Sequence, residues 1–261
     1  MLMQIRQTTP YLEVNRLLQN LLVNVQMILG VQFIGLYLYG SLASGDFNSE
    51  TSDIDFLVVM DDELSDESID ALENMHASLA VSGLKWAAKL EGAYIPKHAI
   101  RRYDPHDIAR PCVNEGDFYL GYQGSDWIIQ RYILREQGVV ITGPDPKTLI
   151  DAVTMEEIRQ AVEVILYKWW APMLDDPARL QASDYQVYAI LSMCRVLHTL
   201  HTGELSSKPV AARWALDMLE QCWTESIEQA ISWRDGMVLN KFDQCLALIR
   251  YTLEQTTIYH Q

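Results

Sequence analysis

Two aspartates separated by a single residue, Asp53 and Asp55, stand at the start of an apolar segment and could bind a metal ion. In a β-strand, residues i and i+2 point to the same face, so both carboxylates would project together. Two neighbouring carboxylates repel each other unless a cation lies between them. Because carboxylate oxygens suit hard cations, the pair indicates Mg²⁺, which commonly bridges protein carboxylates and substrate phosphates.

A glycine and a serine, Gly40 and Ser41, precede this pair, with eleven residues between Ser41 and Asp53. A glycine lets the backbone come close to a phosphate group. The amides that follow it and the serine hydroxyl can donate to phosphate oxygens, above all if a helical turn begins there. We therefore expect Gly40 and Ser41 to bind the phosphates of a nucleotide.

A third carboxylate, Glu91, lies within residues 86–95, a segment that we predict to be a strand. If this strand pairs beside the one that follows Asp53 and Asp55, Glu91 faces the same site. There it could be a ligand of the metal ion, or a general base that takes the proton of a substrate hydroxyl.

The elements that must position these residues are read from hydrophobic periodicity, capping residues and turn residues. In the first half of the chain, the pattern predicts helices over 11–29, 65–80 and 127–136, strands over 33–39, 54–60 and 86–95, a short strand and turn over 138–146, and loops over 42–52 and 97–125.

The second half of the chain has a different pattern, with no convincing strand after residue 150. Thr154 followed by Glu157, and Ser183 followed by Gln186, are capping-box signatures that predict helices to about residue 170 and over 183–202. Further helices are predicted near 208–222, 225–235 and 238–256. We therefore predict an α+β fold: a mixed sheet with helices over residues 1–152, and an all-helical bundle over residues 153–261.

The composition excludes several classes of protein and partner. With 20 Lys and Arg against 35 Asp and Glu, the chain has a net charge of −15, which argues against a nucleic acid or an anionic membrane as its main partner. Four cysteines without a CxxC pair argue against a disulfide framework or a zinc ribbon. Polar residues interrupt the longest apolar stretch, and residues 1–10 lack the features of an export signal. We expect a soluble cytoplasmic protein, either a monomer or a weak dimer.

The motifs together resemble a known family. Gly40-Ser41 and Asp53-Ile54-Asp55, each beside an apolar strand, are similar to the signature of the nucleotidyltransferase superfamily of the polymerase-beta type. Arg195 and the segment 201–214 resemble the C-terminal helical domain of the streptomycin and spectinomycin adenylyltransferases. Residues 125–131 and 138–149 resemble the segment that joins the two domains in that family. The resemblance covers roughly residues 33–216.

The resemblance implies a Mg²⁺-dependent transfer of AMP from ATP to a hydroxyl of an aminoglycoside antibiotic, with release of pyrophosphate. It also implies the following roles: Ser41 for the triphosphate, Asp53 and Asp55 for Mg²⁺, Glu91 as catalytic base, and Arg195 and Lys208 for the phosphates. The acceptor is expected to be cationic, because further carboxylates would attract it and aromatic rings would contact it. The residues expected to bind it are Asp126, Asp184, Trp170 and Tyr188.

Two other functions stay open from the sequence. A nucleotidyltransferase of the toxin–antitoxin type would add AMP to a partner protein, would give no protection against antibiotics and would label a protein with radioactive ATP. A non-catalytic nucleotide-binding module would require one of the four residues Ser41, Asp53, Asp55 and Glu91 to be missing or misplaced. All four residue types are present in the sequence, which makes the second alternative the weaker one.

Overall fold

The computed structural model describes residues 8–259, with side chains described through residue 256. Contacts divide the chain into two compact units, with the boundary between Ala152 and Val153. The expectation that residues 1–10 carry no export signal falls mostly outside the described residues.

A six-stranded sheet forms the centre of the first unit. Its strands are β1 (Phe33–Leu38), β2 (Ile54–Met60), β3 (Leu90–Pro96), β4 (Arg110–Asn114), β5 (Asp117–Gly121) and β6 (Val139–Thr142). The strand order is β5-β4-β3-β2-β1-β6. Strands β2 and β3 run parallel, and the other neighbouring strands run antiparallel. The predicted mixed sheet is therefore confirmed.

Six α-helices accompany this sheet among the described residues of the first unit. They are α1 (Leu12–Leu29), α2 (Gly40–Ser44), α3 (Asp66–Ala80), α4 (Lys97–Ile100), α5 (Asp126–Gln137) and α6 (Pro146–Leu149). Helix α3 begins as predicted, because the side chain of Ser65 accepts a hydrogen bond from the backbone N–H of Ser68 at 3.3 Å.

Each face of the sheet has its own hydrophobic core. One core contains Phe56 and Val58 of β2 together with the apolar residues of α1 and α3. The other contains Leu57 and Val59 of β2, with Ala93 and Ile95 of β3. Because side chains alternate along a strand, Asp55 projects to the second face, at the end of β2 where the apolar residues begin.

The segment 97–125 is not the loop that its prolines and glycines predicted. It contains the short helix α4 and a hairpin of β4 and β5, which turns at Glu115 and Gly116, both with positive φ. Arg110 anchors the hairpin, because its buried guanidinium pairs with Glu63 and Asp107, both at 2.6 Å. Glu63 lies 47 residues before Arg110, so the local pattern could not reveal this pair.

Strand β3 is also shorter than predicted, since it begins at Leu90 and not at residue 86. Trp86 adopts a positive φ of 64°, which a strand does not allow. Its buried ring packs edge-on against Phe47, with ring centroids 5.8 Å apart. The residues between Trp86 and Leu90 form a short 3₁₀ turn, Ala87–Lys89.

The described residues of the second unit form helices and the turns that connect them, without a strand. Its helices are α7 (Met155–Ile165), α8 (Ser183–Thr202), α9 (Lys208–Met218), α10 (Thr224–Ser232) and α11 (Phe242–Tyr259), and a π-helical turn, Leu166–Trp170, extends α7. The capping box of Thr154 and Glu157 is confirmed. The one predicted at Ser183 is wrong, because this hydroxyl instead accepts from the backbone N–H of Leu239 at 3.0 Å. In the part of the chain that the structure covers, no helix is long and apolar enough to cross a membrane.

Candidate active site

The end of β1 and the start of β2 bring the glycine–serine motif and the aspartate motif together. The backbone N–H of Tyr39 donates to the backbone carbonyl of Asp55 at 3.2 Å. Gly40, which follows, has a φ of +59°, and a Cβ atom built on it would lie 1.9 Å from Oδ2 of Asp55. The Asp55 carboxylate therefore lies directly against the Gly40 backbone. Both the backbone conformation and the lack of space require a glycine at this position.

Asp55 and Glu91 are direct neighbours across the parallel strands β2 and β3, where their Cα atoms are register partners. Register partners in neighbouring strands project from the same face of a sheet, so the two carboxylates share one side. Asp55 is half-buried, whereas Glu91 is exposed. Because its side chain is exposed, Glu91 is accessible to a substrate.

Tyr39 and Asp126 lie near the carboxylates of Asp55 and Glu91. Burial raises the pKa of the Tyr39 hydroxyl well above its usual value, and the charges of Asp55, Glu91 and Asp126 raise it further. Asp126 is the first residue of α5, and burial raises the pKa of its carboxyl, although its own backbone N–H and that of Trp127 oppose the shift. Asp126 is exposed as a whole residue, so its side chain is accessible from solvent.

The oxygen ligands of this site are compatible with Mg²⁺. The three predicted ligands, Asp53, Asp55 and Glu91, do not by themselves form a closed metal site. Among the residues that the structure describes, no three His, Cys, Asp or Glu side chains are grouped so that they could hold a metal ion. Mg²⁺, however, is usually bound by one or two protein carboxylates and completes its shell with water and substrate phosphates. Asp55 and the half-buried Asp53, which directly precedes β2, offer two such carboxylates.

The second unit holds the other residues that the sequence singled out. The ammonium group of Lys208 lies over the ring of Tyr188, 4.9 Å from its centroid. Arg195 follows Tyr188 by two turns of α8 and is half-buried. Asp184 lies in the first turn of the same helix and is exposed. Lys208 and Tyr188 are thus in contact.

The prediction that Trp170 contacts an acceptor does not agree with its position. Its side chain is only 1% exposed, so no face of the ring is open to a ligand. Trp170 instead packs beneath Tyr188, with ring centroids 5.1 Å apart. The exposed aromatic residues of this π-helical turn and of the neighbouring part of α8 are Tyr167, Trp169 and Tyr188.

Two residues on the Glu91 face were missed because they belong to the hairpin that was predicted to be a loop. Cys112 of β4 is the register partner of Ala93, and Tyr119 of β5 is the register partner of Cys112. The signal that could have found them is a pair of short apolar runs, 112–113 and 118–120, on either side of the turn-forming residues 114–117.

Two family models match the chain. A model described as nucleotidyltransferase domain matches residues 30–106, and a model described as aminoglycoside adenylyltransferase, C-terminal domain, matches residues 148–256. The first match contains Gly40, Asp55 and Glu91, and the second contains Arg195 and Lys208.

Curated relatives cover most of the chain at low identity. Spectinomycin 9-adenylyltransferase of Staphylococcus aureus is 25% identical over 215 residues, which is 78% of each chain. The protein of the same name from Campylobacter jejuni is 23% identical over 248 residues, covering 88% of this chain and 90% of the relative. The aminoglycoside (3'') (9) adenylyltransferase of Shigella flexneri is 24% identical over 258 residues, covering 94% and 95%.

A solved structure shares the fold. Spectinomycin adenyltransferase AAD(9) from Enterococcus faecialis, crystallised with ATP and spectinomycin, superimposes with a TM-score of 0.75 at 19% identity, covering 92% of this chain and 99% of that one. The α+β fold class is therefore confirmed. Since both domain models match in this order and the relatives cover most of the chain, the protein is a nucleotidyltransferase that belongs to the aminoglycoside adenylyltransferase family.

Proposed function

We propose that the protein transfers AMP from ATP to a hydroxyl group of streptomycin or spectinomycin, in a Mg²⁺-dependent reaction that releases pyrophosphate and gives resistance to the antibiotic. The observation that carries the proposal is the pairing of Asp55 with Glu91 on one face of the sheet, directly beside Gly40. The relatives whose names describe spectinomycin or aminoglycoside adenylyltransferases support the choice of acceptor.

Glu91 is proposed as the catalytic base. Its carboxylate takes the proton of the acceptor hydroxyl, and the hydroxyl oxygen then forms a bond to the α-phosphorus of ATP. The bond from this phosphorus to the oxygen that bridges to the β-phosphate breaks, and pyrophosphate leaves with the electron pair. The exposure of Glu91 is consistent with this role, because a base must reach the substrate.

Asp53 and Asp55 are proposed to hold Mg²⁺. When bound, this ion would neutralise charge on the phosphates and polarise the α-phosphate. Gly40 allows the phosphates to approach the backbone, and the Ser41 hydroxyl donates to their oxygens. The contact between Asp55 and Gly40 fixes the carboxylate beside this phosphate-binding turn.

We propose that each unit supplies different residues for the reaction. Residues 1–152 form the nucleotidyltransferase domain, which supplies the carboxylates. Residues 153–261 form the helical domain, in which Arg195 and Lys208 offset the negative charge of the nucleotide phosphates. The contact of Lys208 with Tyr188 restrains the lysine side chain for this purpose.

A cationic acceptor suits the acidic groups of the chain. Asp126 and Asp184 are proposed to bind its amino groups, and Tyr188 is proposed to contact its rings. We also propose that the reaction takes place in the cytoplasm, because its co-substrate ATP is present there.

The test incubates purified protein with ATP, Mg²⁺ and either streptomycin or spectinomycin, and follows the mass of the antibiotic and the release of pyrophosphate. We expect an antibiotic–AMP conjugate in at least one reaction, and none with the variant Glu91→Gln. Glu115→Gln, which changes a glutamate at the tip of the β4–β5 hairpin, is the matched control and should remain active. An unmodified antibiotic together with a radiolabelled protein band would replace this proposal with AMP transfer to a protein. Normal turnover by Glu91→Gln would remove Glu91 as the base.

A further inference from the structure

The turn between α8 and α9, residues 203–207, leads directly into Lys208 and is held by a buried histidine of α8. Gly203 ends α8 with a left-handed backbone conformation, and Ser207 caps α9, because its side chain accepts from the backbone N–H of Val210 at 3.5 Å. Lys208 is the first residue of α9. The position of the Lys208 backbone therefore depends on the conformation of this turn.

His198 holds this turn through hydrogen bonds of its side chain. The residue is only 7% exposed, and its Nδ1 lies 3.1 Å from the backbone carbonyl oxygen of Glu204 and 3.2 Å from the hydroxyl oxygen of Ser206. Since a carbonyl oxygen only accepts hydrogen bonds, we assign the ring proton to Nδ1, which donates. The hydroxyl of Thr202 donates to the His198 carbonyl at 2.8 Å and accepts from the backbone N–H of Glu204 at 3.1 Å. These bonds tie the start of the turn to α8.

The ring of His198 also packs against α9. It meets the ring of Trp214 edge-on, with a centroid distance of 5.4 Å and an interplanar angle of 83°. His201, about one turn further along α8, packs against the same tryptophan at 5.4 Å. The two histidines thus share the packing contact with α9, whereas the contacts with Glu204 and Ser206 are made by Nδ1 of His198. Packing and hydrogen bonding can therefore be altered separately.

We propose that His198 is a positioning residue that acts on ATP binding through Lys208. Its Nδ1 proton fixes the turn before α9, and the turn fixes the backbone from which the Lys208 side chain extends over the ring of Tyr188. This inference rests on the proposed role of Lys208 in binding the nucleotide phosphates. A lysine side chain has several rotatable bonds, so a fixed backbone and a restrained ammonium group reduce the conformational entropy that is lost when ATP binds.

The experiment measures the Kd of the full-length protein for Mg-ATP by calorimetry, together with its free energy of unfolding in urea. His198→Phe keeps an aromatic ring against Trp214 but removes the donor. His198→Asn removes the ring but keeps a donor, because its amide nitrogen is as many bonds from Cα as Nδ1 is. His201→Phe is the matched control, since it makes the same ring change against the same tryptophan. Lys208→Gln removes the charge that is proposed to bind phosphate.

We expect His198→Phe to raise the Kd for Mg-ATP about fivefold, and His198→Asn and His201→Phe to stay within about twofold of the wild type. His198→Asn loses the ring contact with Trp214, so it should nevertheless be the less stable of the two His198 variants. Lys208→Gln should raise the Kd about tenfold. Adding His198→Phe to Lys208→Gln should change the Kd by less than about twofold, because His198 acts through Lys208.

The inference is overturned if His198→Phe keeps the wild-type Kd, if His198→Asn binds more weakly than His198→Phe, or if the effects of His198→Phe and Lys208→Gln multiply in the double variant. Should His198→Phe not fold, His198→Gln replaces it and must show the raised Kd, because its amide nitrogen is as many bonds from Cα as Nε2 is. If Lys208→Gln binds Mg-ATP as the wild type does, the proposed role of Lys208 fails and this inference falls with it. Weak binding by Lys208→Gln together with normal binding by His198→Phe overturns this inference alone.

Discussion

The contact between Gly40 and Asp55 leads to a quantitative prediction for Gly40→Ala. An alanine at this position must keep a φ of +59°, which costs about 1–2 kcal/mol in a non-glycine residue. In addition, its Cβ atom would lie 1.9 Å from Oδ2 of Asp55, so the carboxylate oxygen would have to move by about 1.5 Å to reach an ordinary contact of 3.4 Å. A displacement near 1 Å at a reacting centre costs about 100-fold in rate, and we expect this loss in kcat/KM.

Gly45→Ala separates the two contributions. Gly45 ends the same short helix with a φ of +78°, but a Cβ atom built there has no heavy atom within 4 Å. Gly45→Ala should therefore lose about 1–2 kcal/mol in the free energy of unfolding, measured by urea denaturation, and Gly40→Ala should lose at least as much. Only Gly40→Ala should also lose the 100-fold in pyrophosphate release. Turnover of Gly40→Ala within about threefold of Gly45→Ala would refute the argument that this close approach positions the aspartate.

The remaining predictions concern the two other carboxylates and a buried histidine. Glu91→Gln should abolish turnover but leave the calorimetric affinity for Mg-ATP within about twofold, and a parallel loss of binding would instead indicate that Glu91 is a metal ligand. Asp53→Asn should weaken Mg²⁺-dependent binding of ATP about tenfold or more, and unchanged binding would contradict its role as a ligand. His76 is buried against the hydroxyl of Tyr94 at 2.7 Å, and burial lowers its pKa from 6.5 to about 4. The unfolded chain therefore binds more protons between these values, and the free energy of unfolding should fall by about 3 kcal/mol as the pH drops from about 6.5 to about 4. The double variant His76→Phe/Tyr94→Phe should lose this part of the pH dependence, and an unchanged slope in urea titrations would assign it to other groups.

Much of the fold could be predicted because its elements have strong local patterns. The six apolar residues of β2 and the buried stripe of α1 specify a strand and a helix from the local pattern alone, and both have nearly the predicted limits. The failed cap at Ser183 reflects instead a contact with Leu239, a residue far along the chain. Local patterns carry no information on such contacts.

The candidate site, like the fold, has features that local patterns predict and features that depend on long-range contacts. The spacing of Asp53 and Asp55, and the glycine and serine before them, indicated metal and phosphate chemistry, because strand alternation and glycine geometry are local properties. The sequence could place Glu91 beside Asp55 only on the condition that their two strands pair. The register of the parallel strands shows this pairing, which joins residues that are distant in the sequence.

The sequence by itself determined the types of residue that do the chemistry, their order along the chain and the change from a mixed sheet to helices. Only the tertiary structure decided which of these side chains are accessible. The hairpin that presents Tyr119 forms through the buried ion pairs of Arg110 and through strand pairing with β3. Trp170 is withdrawn into the core by packing. Both outcomes depend on burial and on long-range pairing, which are properties of the folded chain as a whole.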